Sequence, residues 1–122
     1  MSTAKGKLGT IKTRAGFLHV RGGLSLARPG LVIQMRDNPA TEEEVRYGIT
    51  ATKKIGNAVV RNRAKRRLRA LAREILPEYG RPGNDYVFIA RYNTATLPWQ
   101  SLLKEAQKAL SRLEEMRIKR KT

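Results

Sequence analysis

The sequence predicts a small α+β domain, an α/β sandwich of two layers running helix, strands, helix, strand, helix. Three observations lead there. Residues 45–52 alternate apolar and polar with period two, residues 58–76 repeat their apolar positions with a helical period, and residues 85–92 are apolar on both faces. A chain of 122 residues with 40% hydrophobic content suits one domain with a modest core.

Residues 1–7 are small, polar and unpatterned, and are expected to be loose. Over residues 13–20, Phe17, Leu18 and Val20 suit a short helix that Gly22 and Gly23 stop. Residues 31–36 read as a strand, followed by the polar turn Asp37-Asn38-Pro39. Glu42, Glu43 and Glu44 extend that turn as a solvated loop rather than a carboxylate site. In the strand at 45–52, Val45, Tyr47, Ile49 and Ala51 point one way, and Arg46, Gly48, Thr50 and Thr52 the other. The second face is small and polar, which leaves it open to a ligand.

Asn57 is placed to cap the next helix. There, Val60, Ala64, Leu68, Leu71 and Ile75 form one apolar stripe. Asn62, Arg66, Arg69 and Arg73 fall opposite it, with Arg61 and Lys65 on one flank and Arg63 and Arg67 on the other. Pro77 lacks the N–H a helix needs and is expected to end it. Residues 85–92, apolar on both faces, read as a central strand. Pro98 fits the first turn of a last helix, with Thr96 as its cap and Trp99, Leu103, Ala106, Leu110 and Leu113 as its stripe. Residues 117–122 are basic and expected to fray. No repeat or linker divides the chain, so residues 1–122 read as a single domain.

Charge says more about partners. Twenty-six Lys and Arg against ten Asp and Glu give a formal charge of +16, which points to a polyanion. Between residues 53 and 73 there are nine basic side chains and no acidic one. A solvated helix face normally mixes signs, because like charges one turn apart repel. Here Arg66, Arg69 and Arg73 line up with no glutamate before Glu74, an arrangement that phosphate would neutralise. Arginine predominates, and its planar fork binds phosphate bidentately and stacks on bases. The basic helix therefore reads as a nucleic-acid docking face.

Protein-borne catalysis finds little support. The absence of cysteine excludes a disulfide framework and a Cys-built zinc site, and fits a reducing compartment. His19 is the only histidine, which leaves no His pair for zinc and no Ser-His-Asp set; it reads as a helix-surface residue. Neither G-x-x-x-x-G-K nor G-x-G-x-x-G occurs. Asp37 and Asp85 are not linked into a magnesium site by any pattern. Lys5 and Lys7 are followed by no apolar run, and no stretch approaches the ~20 apolar residues of a membrane helix, so neither secretion nor a membrane is expected.

The run Lys53-Lys54-Ile55-Gly56-Asn57-Ala58-Val59-Val60-Arg61-Asn62-Arg63-Ala64-Lys65-Arg66-Arg67-Leu68-Arg69 resembles the signature of the bacterial ribonuclease P protein subunit. The hallmark of that signature is Arg-Asn-Arg, here Arg61-Asn62-Arg63. Phe17, the strand bearing Thr50 and Thr52, and Asp85-Tyr86-Val87-Phe88-Ile89-Ala90-Arg91 follow the same family's order and spacing. The resemblance covers residues 8–116. It implies a left-handed βαβ crossover, which the pattern alone does not supply. It also implies that an RNA subunit performs the Mg2+-dependent endonucleolytic hydrolysis that removes the 5′ leader from precursor tRNA, with Mg2+ held mainly by RNA. The protein, not catalytic alone, would support the fold of that RNA, bind the leader and strengthen metal and substrate affinity. It would be a cytoplasmic monomer, one per catalytic RNA.

On the matching positions, Arg61, Asn62, Arg63, Lys65, Arg66 and Arg69 would face the catalytic RNA. Phe17, Thr50, Thr52 and Lys54 would line a cleft between the first helix and the sheet, where single-stranded leader is held by positive charge and aromatic stacking. This chain departs from the family twice. Arg21 stands where a second aromatic often lies, and can stack or pair with phosphate in that cleft; Thr10-Ile11 stands where Arg-Leu is usual. The alternatives are a ribosomal or other small basic RNA-binding protein, and a DNA-compacting protein. The first accounts for the charge but not for the Lys-Lys-Ile-Gly-Asn-Ala run. The second favours a dimer with a long basic arm, and only the short basic tail is present.

Overall fold

The structure, a computed structural model, describes residues 7–121. In chain order it contains β1 (Lys7–Thr10), α1 (Arg14–Arg21), β2 (Leu24–Arg28), β3 (Leu31–Asp37), β4 (Glu44–Thr50), α2 (Ala58–Tyr79), β5 (Asn84–Ala90) and α3 (Trp99–Lys121). The strands form one sheet in the order β1-β4-β5-β3-β2. β1, β4 and β5 are mutually parallel, whereas β3 and β2 form an antiparallel hairpin beside β5. The doubly apolar strand is thus the central one, and β4–α2–β5 is the parallel crossover unit.

Strand alternation divides the interior in two. Val45, Tyr47, Tyr86, Phe88, Leu31, Ile33 and Met35 face α2 and α3. From α2 come Ala64, Leu68, Leu71 and Ile75, as the stripe predicts, joined by Ala72 and Leu76. Each fully buried Leu or Ile here contributes about 1.5–3 kcal/mol by leaving water. On the opposite face Val87 and Ile89 meet Ile11, Phe17 and Val20 from α1 and its approach. The expected two layers are therefore three, because α1 covers the second face of the sheet.

Several expected boundaries move, each for a local reason. Residues 1–6 and their expected looseness lie outside the described residues, while Lys7 already pairs in β1. The short helix begins with Thr13, whose hydroxyl accepts from Gly16 N at 3.0 Å. Glu44 is the first residue of β4 rather than loop, in register with Lys7; Glu42 and Glu43 stay exposed. β4 stops at Thr50, since a bond from Ile55 N to Thr52 O at 3.2 Å turns the chain away from the sheet. β5 stops at Ala90 because Arg91 N donates to Thr94 Oγ1 at 2.7 Å instead of to a strand.

Pro77 does not end α2, which continues to Tyr79 and closes with Gly80 N on Leu76 O at 2.8 Å. A proline in the last turn removes one ladder bond and leaves the rest intact. Thr96 does not cap α3. Its hydroxyl donates to Asn93 O, and the carbonyl of Pro98 accepts the first helical bond, from Leu102 N at 3.0 Å. Nor do residues 117–121 fray. α3 runs to Lys121, and Arg117 makes two bonds to Glu114, at 3.0 and 2.8 Å. Those bonds hold the Glu114 carboxyl below its usual range.

Asp85, at the head of β5, is fully buried. Its oxygens accept from Arg46 Nε at 3.1 Å, Arg46 Nη2 at 2.8 Å and Asn38 Nδ2 at 3.0 Å. The bond to Asp85 is the main reason the Arg46 pKa is raised. This carboxylate fastens β3, β4 and β5 together at one end.

Candidate nucleic-acid interface

The basic helix is entered through a tight device. After β4, residues Lys53–Ile55 form one 3-10 turn. Gly56 then takes φ 148°, a conformation open to glycine alone, and a Cβ there would meet Val60 Cβ at 2.9 Å. Asn57 Oδ1 accepts from Val60 N at 3.0 Å and caps α2 as expected. Arg61 folds back so that Nη1 donates to Gly56 O at 3.3 Å. The Ile-Gly-Asn segment is therefore the hinge that aims the first turns of α2.

Beyond it, Asn62, Arg63 and Arg66 are exposed, while Lys65 and Arg69 are half-buried. Four acids pair with arginines outside this helix. Asp85 pairs with Arg46, Glu105 with Arg28, Glu114 with Arg81 and Arg117, and Glu115 with Arg112. Among the described residues, no basic side chain from 53 to 73 takes part in an ion pair. Sequence reasoning placed Arg67 on a flank without a role. Here its Nη1 donates to Thr94 O at 2.6 Å and its guanidinium lies 5.9 Å over the Trp99 ring. Burial, then the nearby charge of Arg63, lowers its pKa. Arg63, Arg66, Arg67, Ala95 and Thr96 line an open groove of about 520 Å³ along this face.

The second surface lies between α1 and the sheet. Phe17 is half-buried, packed with Ile11, Val20, Val87 and Ile89. Its ring rests on Gly48, where a Cβ would fall 2.5 Å from Phe17 Cζ. The mid-strand glycine thus makes room for an aromatic ring, a role sequence reasoning did not assign. Thr50 shares this face of β4 and stands in register with Ile89. Thr52 and Lys54 are exposed just beyond the strand, and lead directly into α2. Arg21 is exposed one turn after Phe17, at the end of α1. The structure therefore gathers Phe17 and Thr50 on one face, with Thr52 and Lys54 between that face and the basic helix. Gly48→Ala is expected to cost about 1–3 kcal/mol by overpacking. Urea unfolding checks this as a lower midpoint at unchanged slope.

A sequence model of the Ribonuclease P family matches residues 7–114, which include both surfaces. The chain belongs to the ribonuclease P family. It is 49% identical over 104 residues to the ribonuclease P protein component of Caulobacter vibrioides (strain NA1000 / CB15N), covering 85% of this chain and 70% of that one. It is 43% identical over 112 residues to that of Ruegeria pomeroyi, covering 90% of each. The fold is similar to the solved RNase P protein of Staphylococcus aureus, with a TM-score of 0.71, 27% identity, and coverage of 85% of this chain and 94% of that one. The three helices and five-stranded mixed sheet are thus an architecture found within the ribonuclease P family. Among the described residues, no helix is long and apolar enough to cross a membrane.

Proposed function

We propose that this chain is the protein subunit of a ribonuclease P, working on precursor tRNA together with a catalytic RNA. The observation that supports this best is the unpaired basic face of α2. Among the described residues Arg61, Arg63, Lys65, Arg66 and Arg69 take part in no ion pair, and Asn62 is exposed among them, which leaves this face available to phosphate. Arginine forks bind phosphate bidentately, and neutralising the RNA backbone releases its counterions. Phe17, Thr50, Thr52, Lys54 and Arg21 take the single-stranded 5′ leader, with Phe17 as the stacking platform and the cations as phosphate contacts. Mg2+, held mainly by the RNA, supplies the charge stabilisation for phosphodiester hydrolysis. The protein positions the leader and supports the RNA. It acts as a cytoplasmic monomer, one per catalytic RNA.

Reconstitution with a bacterial ribonuclease P RNA at low magnesium tests this reading. RNA and protein together are expected to release the leader at the mature 5′ end, and protein freed of RNA is expected to cleave nothing. Cleavage by RNA-free protein, or no stimulation of the RNA, would sink the proposal. Arg66→Ala is expected to lower the slope of log affinity against log salt for the catalytic RNA by about 0.9, the share of one duplex phosphate. An unchanged slope and affinity would make Arg66 a merely solvated side chain.

A further inference from the structure

A second basic site lies at the other end of the sheet. Gly22 after α1, Arg36 and Asp37 at the end of β3, and Arg117 and Arg120 on the last turns of α3 enclose a pocket of about 260 Å³. Asp37 is in register with Asn84, and Asn84 with Val45, so this end lies five strand residues from Thr50, about 17 Å. α1 crosses the sheet between the two ends. Phe17 rests on Gly48, and one turn later the Arg36 guanidinium sits against Gly22, where a Cβ would meet Nη1 at 2.8 Å. Arg21 immediately precedes Gly22, so the end of α1 that bears it borders this pocket.

Its charges are arranged for an anion. Arg36 Nη1 donates to His19 O at 3.0 Å, which fixes the guanidinium at the end of α1. Glu114 is bound to Arg117 by two hydrogen bonds, and the field of Asp37 also falls on Arg117. Glu114 is thus shared between Arg117 and Arg81, and Asp37 lines the pocket beside Arg117. Arg36 and Arg120 have no ion-pair partner among the described residues, and both are exposed.

We propose that this pocket is a distal phosphate site for the leader, in which Arg36 and Arg120 take a backbone phosphate of the single strand after it has passed Phe17 and Arg21. The proposal rests on the leader reading of the Phe17 face.

The test is the affinity of reconstituted holoenzyme for precursors whose leaders are lengthened one nucleotide at a time. Wild type is expected to show a late gain once the leader spans the sheet. Arg36→Ala and Arg120→Ala should each lose that gain, about two- to five-fold, the size of an exposed ion pair. The salt slope for long leaders should fall by about 0.7 in each. Arg36 also braces α1 through His19, so Arg120→Ala, on the exposed end of α3, separates binding from folding. Long-leader binding unchanged in both variants while Phe17→Ala still weakens precursor overturns the distal site alone. Unchanged binding in all three variants overturns the leader reading with it. Weaker assembly of Arg120→Ala with the catalytic RNA, in the absence of leader, would make the pocket an RNA-subunit contact and also overturn the proposal.

Discussion

Replacing Phe17 by alanine is expected to weaken precursor tRNA about five- to a hundred-fold relative to mature tRNA, in holoenzyme reconstituted with catalytic RNA. Only the precursor carries the single-stranded 5′ leader, and one lost base–aromatic stack is worth roughly 1–3 kcal/mol. The half-exposed ring sits on Gly48 with one side against Ile11, Val20 and Val87, so truncation also removes packing. Phe17→Leu separates the two effects, because it keeps much of the apolar volume while removing the π-face. Both variants should lose precursor preference, and Phe17→Leu should melt closer to wild type. A folded Phe17→Leu protein that still prefers precursor as wild type does would remove Phe17 from the leader site, leaving Thr50, Thr52, Lys54 and Arg21.

The largest stability effect is expected at Asp85. Asp85→Ala strips Arg46 and Asn38 of their shared acceptor, and removing one member of a buried ion pair costs about 3–5 kcal/mol. The Arg46 side chain keeps 23% of its exposure and can partly rehydrate, which places the loss near the lower end. Replacing the pair together, as Asp85→Leu with Arg46→Leu, should restore part of it, since no charge is left stranded. Urea unfolding of the two variants reads both quantities. A loss below about 1 kcal/mol for Asp85→Ala would mean that the clamp at the head of β5 is not a fastening.

The parts of the fold legible in the sequence are those whose residues face one environment throughout. β5 is legible as central because both its faces are apolar, and α2 because Ala64, Leu68, Leu71 and Ile75 keep a helical period beneath an opposite face of Asn62, Arg66, Arg69 and Arg73. β1 and β2 were not legible. As edge strands of four and five residues they need few apolar side chains, and Leu24 and Leu26 alone do not make a period. Residues 117–121 stay helical with Glu114 and Arg117 paired three residues apart on one helix face, a local bond that net charge does not reveal; Thr122 lies outside the described residues. At the site, the basic helix could be read from charge, and Thr50 from the open alternate face of its strand. Gly48 as the seat of Phe17 could not be read, because that contact exists only once α1 has docked across the sheet. The same holds for Arg67, whose partner Thr94 lies in another element.

The chain enters α1 from β1 and leaves it into β2, and these strands occupy opposite edges of the sheet. The helix is thus a strap buckled at both margins, while the larger core lies beneath the other face. Edge pairings open at lower free energy than central ones, so the strap can slacken while β4, β5 and β3 remain paired. How tightly α1 lies on the sheet is then governed by margins distant from Phe17. A polymer gripped against α1 would, in turn, quiet amide exchange along β1 and β2 without touching either.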